Sequence, residues 1–361
     1  MTASARRFAL GSYTPGGPGR GLHLAERSEI GDWRIVASAE TSNPSFVARS
    51  GDLLFAVFED ESGSVASFRL ARDAFEPVDV VEHGEAAPCH VAVDATSGVL
   101  LVANYGGGSV TAVPFDDASG ALGRAVTLTL PHGTGPVADR QEAPHAHQVV
   151  PTPWGTHLVS DLGGDAIHEF VVGPARTATL REPQGGADAA APTLRITRTI
   201  DVTPGTGPRH MLVRGGLLHV VGELDGLLHT FEVDADTVRP AGTEPTVVRP
   251  PASDDDVVQP SHLDASPSGR LFTALVRGRD SVSVFDATLR EPQGGAHAAR
   301  PRLASEHRIE AALPRHHAHL DDRTVVVAAQ EGNALVEVDL VTGAVRRVLE
   351  LTSPTCVLPL G

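Results

Sequence analysis

The sequence predicts an all-β fold, a seven-bladed β-propeller of four-stranded antiparallel blades, and three observations carry that prediction. Short apolar segments alternate with turn residues along the 361-residue chain, which holds 37 Gly and 27 Pro. The segments recur as one unit with a period of roughly 50 residues, the length of a propeller blade. No segment shows a convincing 3.6-residue apolar period, so no helix is expected.

The units follow one another without linkers. The first is ALGSYT (9–14), GLHLAE (21–26) and IVASAE (35–40). It holds three strands, and the C-terminal CVLPL (356–360) is expected to pair beside FALGSY, closing the ring and removing exposed sheet edges. The second unit starts at Ser45–Ala48 and continues through LLFAVFE (53–59) and SVASFRL (64–70). The third, fourth and sixth align on a turn: HVAVDATSG (90–98), HQVVPTPWG (147–155) and HLDASPSG (262–269). Each of these leads into an apolar strand, a Gly/Asp turn, a third strand and a more polar fourth. The fifth begins at Arg209-His210-Met211 and the seventh at His317. A string of β-sandwiches would instead show linkers and unrelated spacings. The whole of residues 1–361 is therefore expected to form a single propeller domain. One segment, ATLREPQGGA, occurs twice, at 178–187 and 287–296. Both copies fall between a third and a fourth strand, where exposed loops tolerate insertion.

Composition narrows the function. Aromatic residues make up 4% of the chain against 41% hydrophobic in total, so the core must be built from Val, Leu and Ala. The formal charge of −16, with no compensating basic stripe, disfavours nucleic acid as a partner. It also repels small anions, so an anionic substrate would need arginines placed locally in a pocket. Two cysteines, Cys89 and Cys356, form no metal or disulfide pattern and suggest a reducing, cytoplasmic compartment. No apolar run reaches the length of a membrane span, and the N-terminus has no signal-peptide core. A monomer or weak homo-oligomer is expected.

In an antiparallel blade the start of the first strand and the end of the second lie on the same face. Histidines open several first strands: His90, His147, His210, His262 and His317. Polar residues close second strands: Glu59, Asn104, Asp161, Glu223, Arg277 and Gln330. Both sets are expected on one rim at the mouth of the central channel, a place that favours binding sites. A repeated histidine also fits a blade-building role, whereas Arg and Glu are rarely buried unless paired.

Several motifs, in order, cover almost the whole chain: GSYT (11–14), NPSF (43–46), ANYGGGSV (103–110), RQEAPHAH (140–147), DLGGD (161–165), PGTGPRH (204–210), GEL (222–224) and RGRDSVSVF (277–285). With these motifs the chain resembles the lactonase seven-bladed propeller family, which contains bacterial 6-phosphogluconolactonases and fungal 3-carboxymuconate lactonising enzymes. The resemblance implies His147, Arg209, Glu223 and Arg277 as catalytic residues. The expected substrate-binding surroundings are His145, His90, Asn104, Asp161, His210 and Gln330. The chain departs from the family pattern at Val276 and at Arg315-His316-His317.

Three functions remain open at this point. One is hydrolysis of a sugar lactone, most naturally 6-phosphogluconolactone, by water attack, with no nucleophilic serine because no GxSxG elbow is present. Another is cyclisation of a carboxylated muconate on the same site. The last is a propeller that only binds a partner. Either His147 or Glu223 could act as base, with Arg209 and Arg277 holding the anionic group. No cofactor and no metal are expected, because the histidines show no tight ligand spacing.

Overall fold

The computed structural model describes residues 5–14, 19–173, 191–253, 256–288 and 300–361. These residues form seven four-stranded antiparallel sheets arranged as the blades of a propeller. Blade one is closed by the C-terminal strand Pro354–Pro359, which pairs with Arg6–Ser12 in the register Leu10↔Val357. Blades two to seven open with Pro44–Ser50, Pro88–Asp94, Ala146–Pro151, Pro208–Arg214, Gln259–Ala265 and Pro314–His319. These six strands and Pro354–Pro359 pack side by side around the axis. The first copy of the duplicated segment lies outside the described residues, as does the second except for Ala287 and Thr288. No helix of the described residues is long and apolar enough to cross a membrane.

Burial follows distance from the axis. The second strands Leu53–Phe58, Val99–Asn104 and Leu217–Gly222 are buried at every position, because a blade lies against both of their faces. The outermost strand Thr193–Asp201 alternates exposed residues with half-buried ones and, at Ile200, a buried one, as a half-solvated strand should. The core is divided into layers between neighbouring blades. Val57 and Val65 of blade two meet Val91 and Val102 of blade three. Leu10 and Val357 of blade one meet Val326 and Leu335 of blade seven. Val, Leu and Ala dominate these layers, as the composition requires.

Every blade carries the same irregularity. The pairing of its innermost strand with the next shifts register near the rim, at Pro44/Phe46, Pro88/His90, Ala146/Val149, Pro208/Met211, Pro260/Leu263, Pro314/His316 and Gly11/Ser12. Such a bulge leaves an extra residue on one strand and re-aims its side chain. Proline suits the bulged position because its missing N–H costs no ladder bond there. The residue after the bulge opener is Ser45, Cys89, His147, Arg209, Ser261, Arg315 or Thr355. The hydroxyls among them tie blades together: Ser45 donates to the carbonyl of Pro88 at 2.6 Å, Ser261 to Pro314 at 2.7 Å and Thr355 to Pro44 at 2.6 Å.

Ring closure rests on a packed seam, and Leu10 sits in it with 0% exposure. Leu10→Ala is expected to lower the unfolding free energy by about 2–5 kcal/mol. Guanidinium denaturation measures this, and a loss below about 1 kcal/mol would contradict the packing of the seam.

Candidate active site

The site is built on two sets of equivalent positions. One set follows the bulges and contributes His147, Arg209 and Arg315. The other lies one residue beyond the position facing the bulge in six of the seven blades: Tyr13, Glu59, Tyr105, Glu223, Arg277 and Gln330. The two sets meet at one mouth of the channel.

Glu223 is the centre of charge. Its Oε2 lies 2.7 Å from Arg209 Nε and 2.7 Å from Arg277 Nη2, and Arg140 Nη2 donates to Oε1 at 2.5 Å. Burial acts against ionisation of Glu223, which is 1% exposed, but Arg277 and Arg209 overcome it and hold the carboxyl far below its usual range. Three guanidiniums on one carboxylate leave two positive charges in excess. Arg209 Nε and Arg277 Nη2 meet Glu223 as ion-pair contacts outside hydrogen-bonding geometry, and Arg209 Nη1 is buried without a hydrogen-bond acceptor. Burial and repulsion by Arg277 work against the charge on Arg209, yet the intrinsic basicity of a guanidinium keeps it cationic.

A second ion pair stands across the mouth. Arg315 Nη2 lies 3.0 Å from Glu59 Oε2, which also accepts from the Tyr13 hydroxyl. The Arg315 guanidinium sits 4.9 Å from the centre of the Tyr13 ring. Its Nη1 donates to Gln330 Oε1 at 3.3 Å.

His147 lies between these pairs, 7% exposed, with its Nδ1 3.8 Å from Cys89 Sγ. Burial, and then the charge of Arg209, hold His147 well below its usual pKa, so its ring is neutral at pH 7. A cavity of about 10 Å³, the size for one water, is lined by Cys89, His147, Arg209, His210 and Arg315. Burial pushes the Cys89 thiol up to about 12, which makes it a packing group and not a nucleophile.

Loops fix the arginines. Arg140 precedes Gln141, which is wholly buried; the Gln141 Nε2 donates to Leu162 O at 2.9 Å and its Oε1 accepts from Val137 N at 3.1 Å. Gly135 is required there, since a Cβ would meet Gln141 Oε1 at 2.2 Å. The turn before Arg209 hangs on Asp165, whose carboxylate accepts from Gly205 N at 2.6 Å and Gly207 N at 2.8 Å. Gly207 has a φ of 57° and a Cβ there would lie 2.5 Å from Leu224.

The other residues expected at the site are placed differently. Asn104 and Asp161 face the bulges directly, one residue short of the rim positions. Asn104 Nδ2 donates to Ser109 Oγ at 3.0 Å and Thr111 Oγ1 at 2.9 Å. Asp161 Oδ1 accepts from the backbone N–H of His145 at 2.7 Å and Gly164 at 3.0 Å. His145 stacks on Tyr105 at 4.3 Å and its Nδ1 lies 2.9 Å from Tyr105 O. His90 and His210 occupy the next position along their strands and lie deeper in the channel, in a row with His262 and His316. Burial pushes His90 and His316 down to about 3 and makes both neutral.

Sequence reasoning gave no role to Arg140, Arg315, Tyr13 or Tyr105. Arg140 belongs to no repeat; its signal was the RQEAPHAH motif. Tyr105 and Tyr13 stand where Glu223 and Arg277 stand in their own blades, a position that the exact pairing register alone defines.

With this geometry the comparisons with known proteins can be placed. The family model described as "Lactonase, 7-bladed beta-propeller" matches residues 7–359. The chain belongs to the lactonase seven-bladed β-propeller family. Within it, the chain is 28% identical over 294 residues to the 6-phosphogluconolactonase of Bacillus subtilis, 77% of this chain and 76% of that protein. Among solved structures, it is similar to the periplasmic gluconolactonase of Pseudomonas aeruginosa, with a TM-score of 0.81, 25% identity and coverage of 99% of each chain. A protein from Lactobacillus plantarum shares the fold with a TM-score of 0.82 at 23% identity, covering 99% of this chain and 100% of that one.

In this lactonase-family chain Glu223 is the sole carboxylate among three close arginines. Glu223→Gln would leave those charges buried and mutually repelling, and is expected to cost about 3–5 kcal/mol of stability. Added inorganic phosphate should restore part of the loss. Thermal unfolding with and without phosphate measures both effects, and a variant as stable as the parent would contradict the charge arrangement.

Proposed function

We propose that this chain hydrolyses the lactone of a phosphorylated sugar acid, with 6-phosphogluconolactone as the first substrate to test. The observation that carries the reading is the cluster of guanidinium donors on Arg140, Arg209 and Arg277, whose charge Glu223 neutralises only in part and whose Arg209 Nη1 is buried without an acceptor, in a protein of charge −16. Such donors want an anion that can accept several hydrogen bonds. Phosphate and a lactone oxygen gaining charge both qualify. The family, and the activities named for the relatives in Bacillus subtilis and Pseudomonas aeruginosa, support the same chemistry. Two free, buried cysteines accord with a reducing cytoplasmic setting.

The roles follow from the electrostatics. Glu223 is too firmly held by arginines to serve as base. His147 is neutral, and its Nε2 takes the proton while Nδ1 faces Cys89. A water in the adjoining cavity attacks the lactone carbonyl as His147 accepts its proton. Charge builds on the carbonyl oxygen, where a guanidinium stabilises it. The carbon–oxygen ring bond then breaks, the departing oxygen takes a proton from His147, and a hydroxy acid is released. Arg140, at the edge of the cluster, and Arg315, across the mouth, are placed for the substrate's phosphate.

Stopped-flow assay of freshly generated 6-phosphogluconolactone, corrected for spontaneous hydrolysis, tests the proposal. Arg209→Ala and Arg277→Ala are each expected to lower kcat/KM by about 10²–10³, and His147→Gln by about 10²–10⁴. Wild-type turnover in both arginine variants would refute the site.

The pH profile tests the base separately. The folded His147 titrates below its ordinary 6.5, and only the neutral ring accepts a proton. The rate should therefore hold steady as pH falls through 6.5 and drop only further down. An acid limb centred at or above 6.5 would assign the base elsewhere.

A further inference from the structure

The inner strand of blade seven, Pro314–His319, runs from the active-site mouth to the opposite end of the channel. Arg315 stands at the first end, and His319, four residues on, lies about 13 Å along the strand. His317 and His319 are two apart and project from the same strand face. That face meets blade six, where Thr273 Oγ1 lies 2.7 Å from His317 Nε2 and 2.8 Å from His319 Nε2. Asp264, on the inner strand of blade six, is the register partner of Thr273. One ligand atom from each of Asp264, His317 and His319 falls within 4.8 Å of the others.

We propose that Asp264, His317 and His319 bind a divalent transition-metal ion of the zinc class at the channel mouth opposite the lactone site.

The donor set is suited to such an ion. Two imidazoles and one carboxylate, with room for solvent, form a borderline nitrogen and oxygen set that first-row divalent metals prefer over calcium or magnesium. The histidines are prepared for it. His317 Nδ1 lies 2.9 Å from His262 Nδ1, and His319 Nδ1 lies 3.3 Å from the carbonyl of Asp321. When each Nδ1 donates its proton to that partner, both Nε2 lone pairs face Thr273. A hydroxyl has one proton and satisfies one of them; a metal ion satisfies both. Outer partners of this kind fix the tautomer of ligating histidines. Burial also keeps His317 and His319 in the neutral form that binds metal.

Asp264 gives a second, independent reason. Its carboxylate accepts one hydrogen bond, from Ala265 N at 2.8 Å, and no Lys or Arg of the described residues forms an ion pair with it. Burial raises its pKa to about 6, the condition of a carboxylate short of a cation. A tetrahedral zinc site would need the ligand atoms about 3.3 Å apart. His317 is wholly buried and serves as the anchor, while Asp264 and His319 are half-buried and can close in. A cavity of about 390 Å³ borders all three and has space for a water ligand. The ion would join blade six to blade seven at the seam between them.

The test uses the full-length protein, stripped with a chelator and titrated with Co²⁺, whose visible absorption reports low-symmetry nitrogen and oxygen coordination. One equivalent of Co²⁺ should produce the band, one equivalent of Zn²⁺ should displace it, and the melting temperature should rise. The double variant Asp264→Asn/His319→Gln should lose the band and the rise, yet keep the far-UV circular dichroism of the parent and its lactone hydrolysis within about twofold, since neither residue touches the other mouth. Absence of a stoichiometric band in the parent overturns the proposal. So does a band that persists in the folded double variant, because the ion would then bind other histidines. If the variant misfolds, His319→Gln alone, at the half-buried edge, must weaken Co²⁺ binding at least tenfold or the proposal fails. The readout is metal binding, so the result is independent of whether the lactone reading holds.

Discussion

The site depends on one backbone constraint repeated around the ring: the bulge where each innermost strand begins. Seven strands crowd toward one axis, and the register shift turns the residue after the bulge toward the mouth of the channel. Where blades need only to be tied together, that residue is Ser45, Ser261 or Thr355, and its hydroxyl reaches the next blade's carbonyl. In the candidate site the same position holds His147, Arg209 or Arg315. One backbone device therefore serves closure in some blades and presents imidazole or guanidinium groups at the mouth in others.

The second feature is the way charge is kept at the rim. A buried guanidinium is costly, and two unpaired ones in contact would be worse. Glu223 makes the arrangement possible by accepting Arg140, Arg209 and Arg277 at once. The carboxylate neutralises only part of their charge. The remainder faces the mouth as a local positive field in a molecule whose net charge would otherwise repel an anion. Glu59 does the same for Arg315 across the channel, with Tyr13 completing the pair.

Between its two ends the channel holds a row of histidines, including His210, His262 and His316, that burial keeps neutral. They fill the axis without adding to the charge at the rim. The far end carries a different set of groups, in which Asp264 has no Arg partner among the described residues.

The amino-acid sequence by itself determined the blade count, the antiparallel four-stranded unit and the closure by residues 356–360, because apolar alternation and turn residues are local signals that repeat. It also marked His147, Arg209, Glu223 and Arg277 through motifs. It mixed layers, however: His90, His147 and His317 were grouped as equivalent, though they occupy three successive positions relative to the bulge. Asn104 and Asp161 were grouped with Glu223 and Arg277, though they stand one residue earlier. Side chains alternate along a strand, so a displacement of one residue reverses the side they face, and the bulge that causes it leaves no mark in apolar periodicity. Arg140 reaches a residue 83 positions away, and Asp264 approaches histidines from a neighbouring blade. Only the closed ring, which brings distant strands to one axis, decided those neighbours.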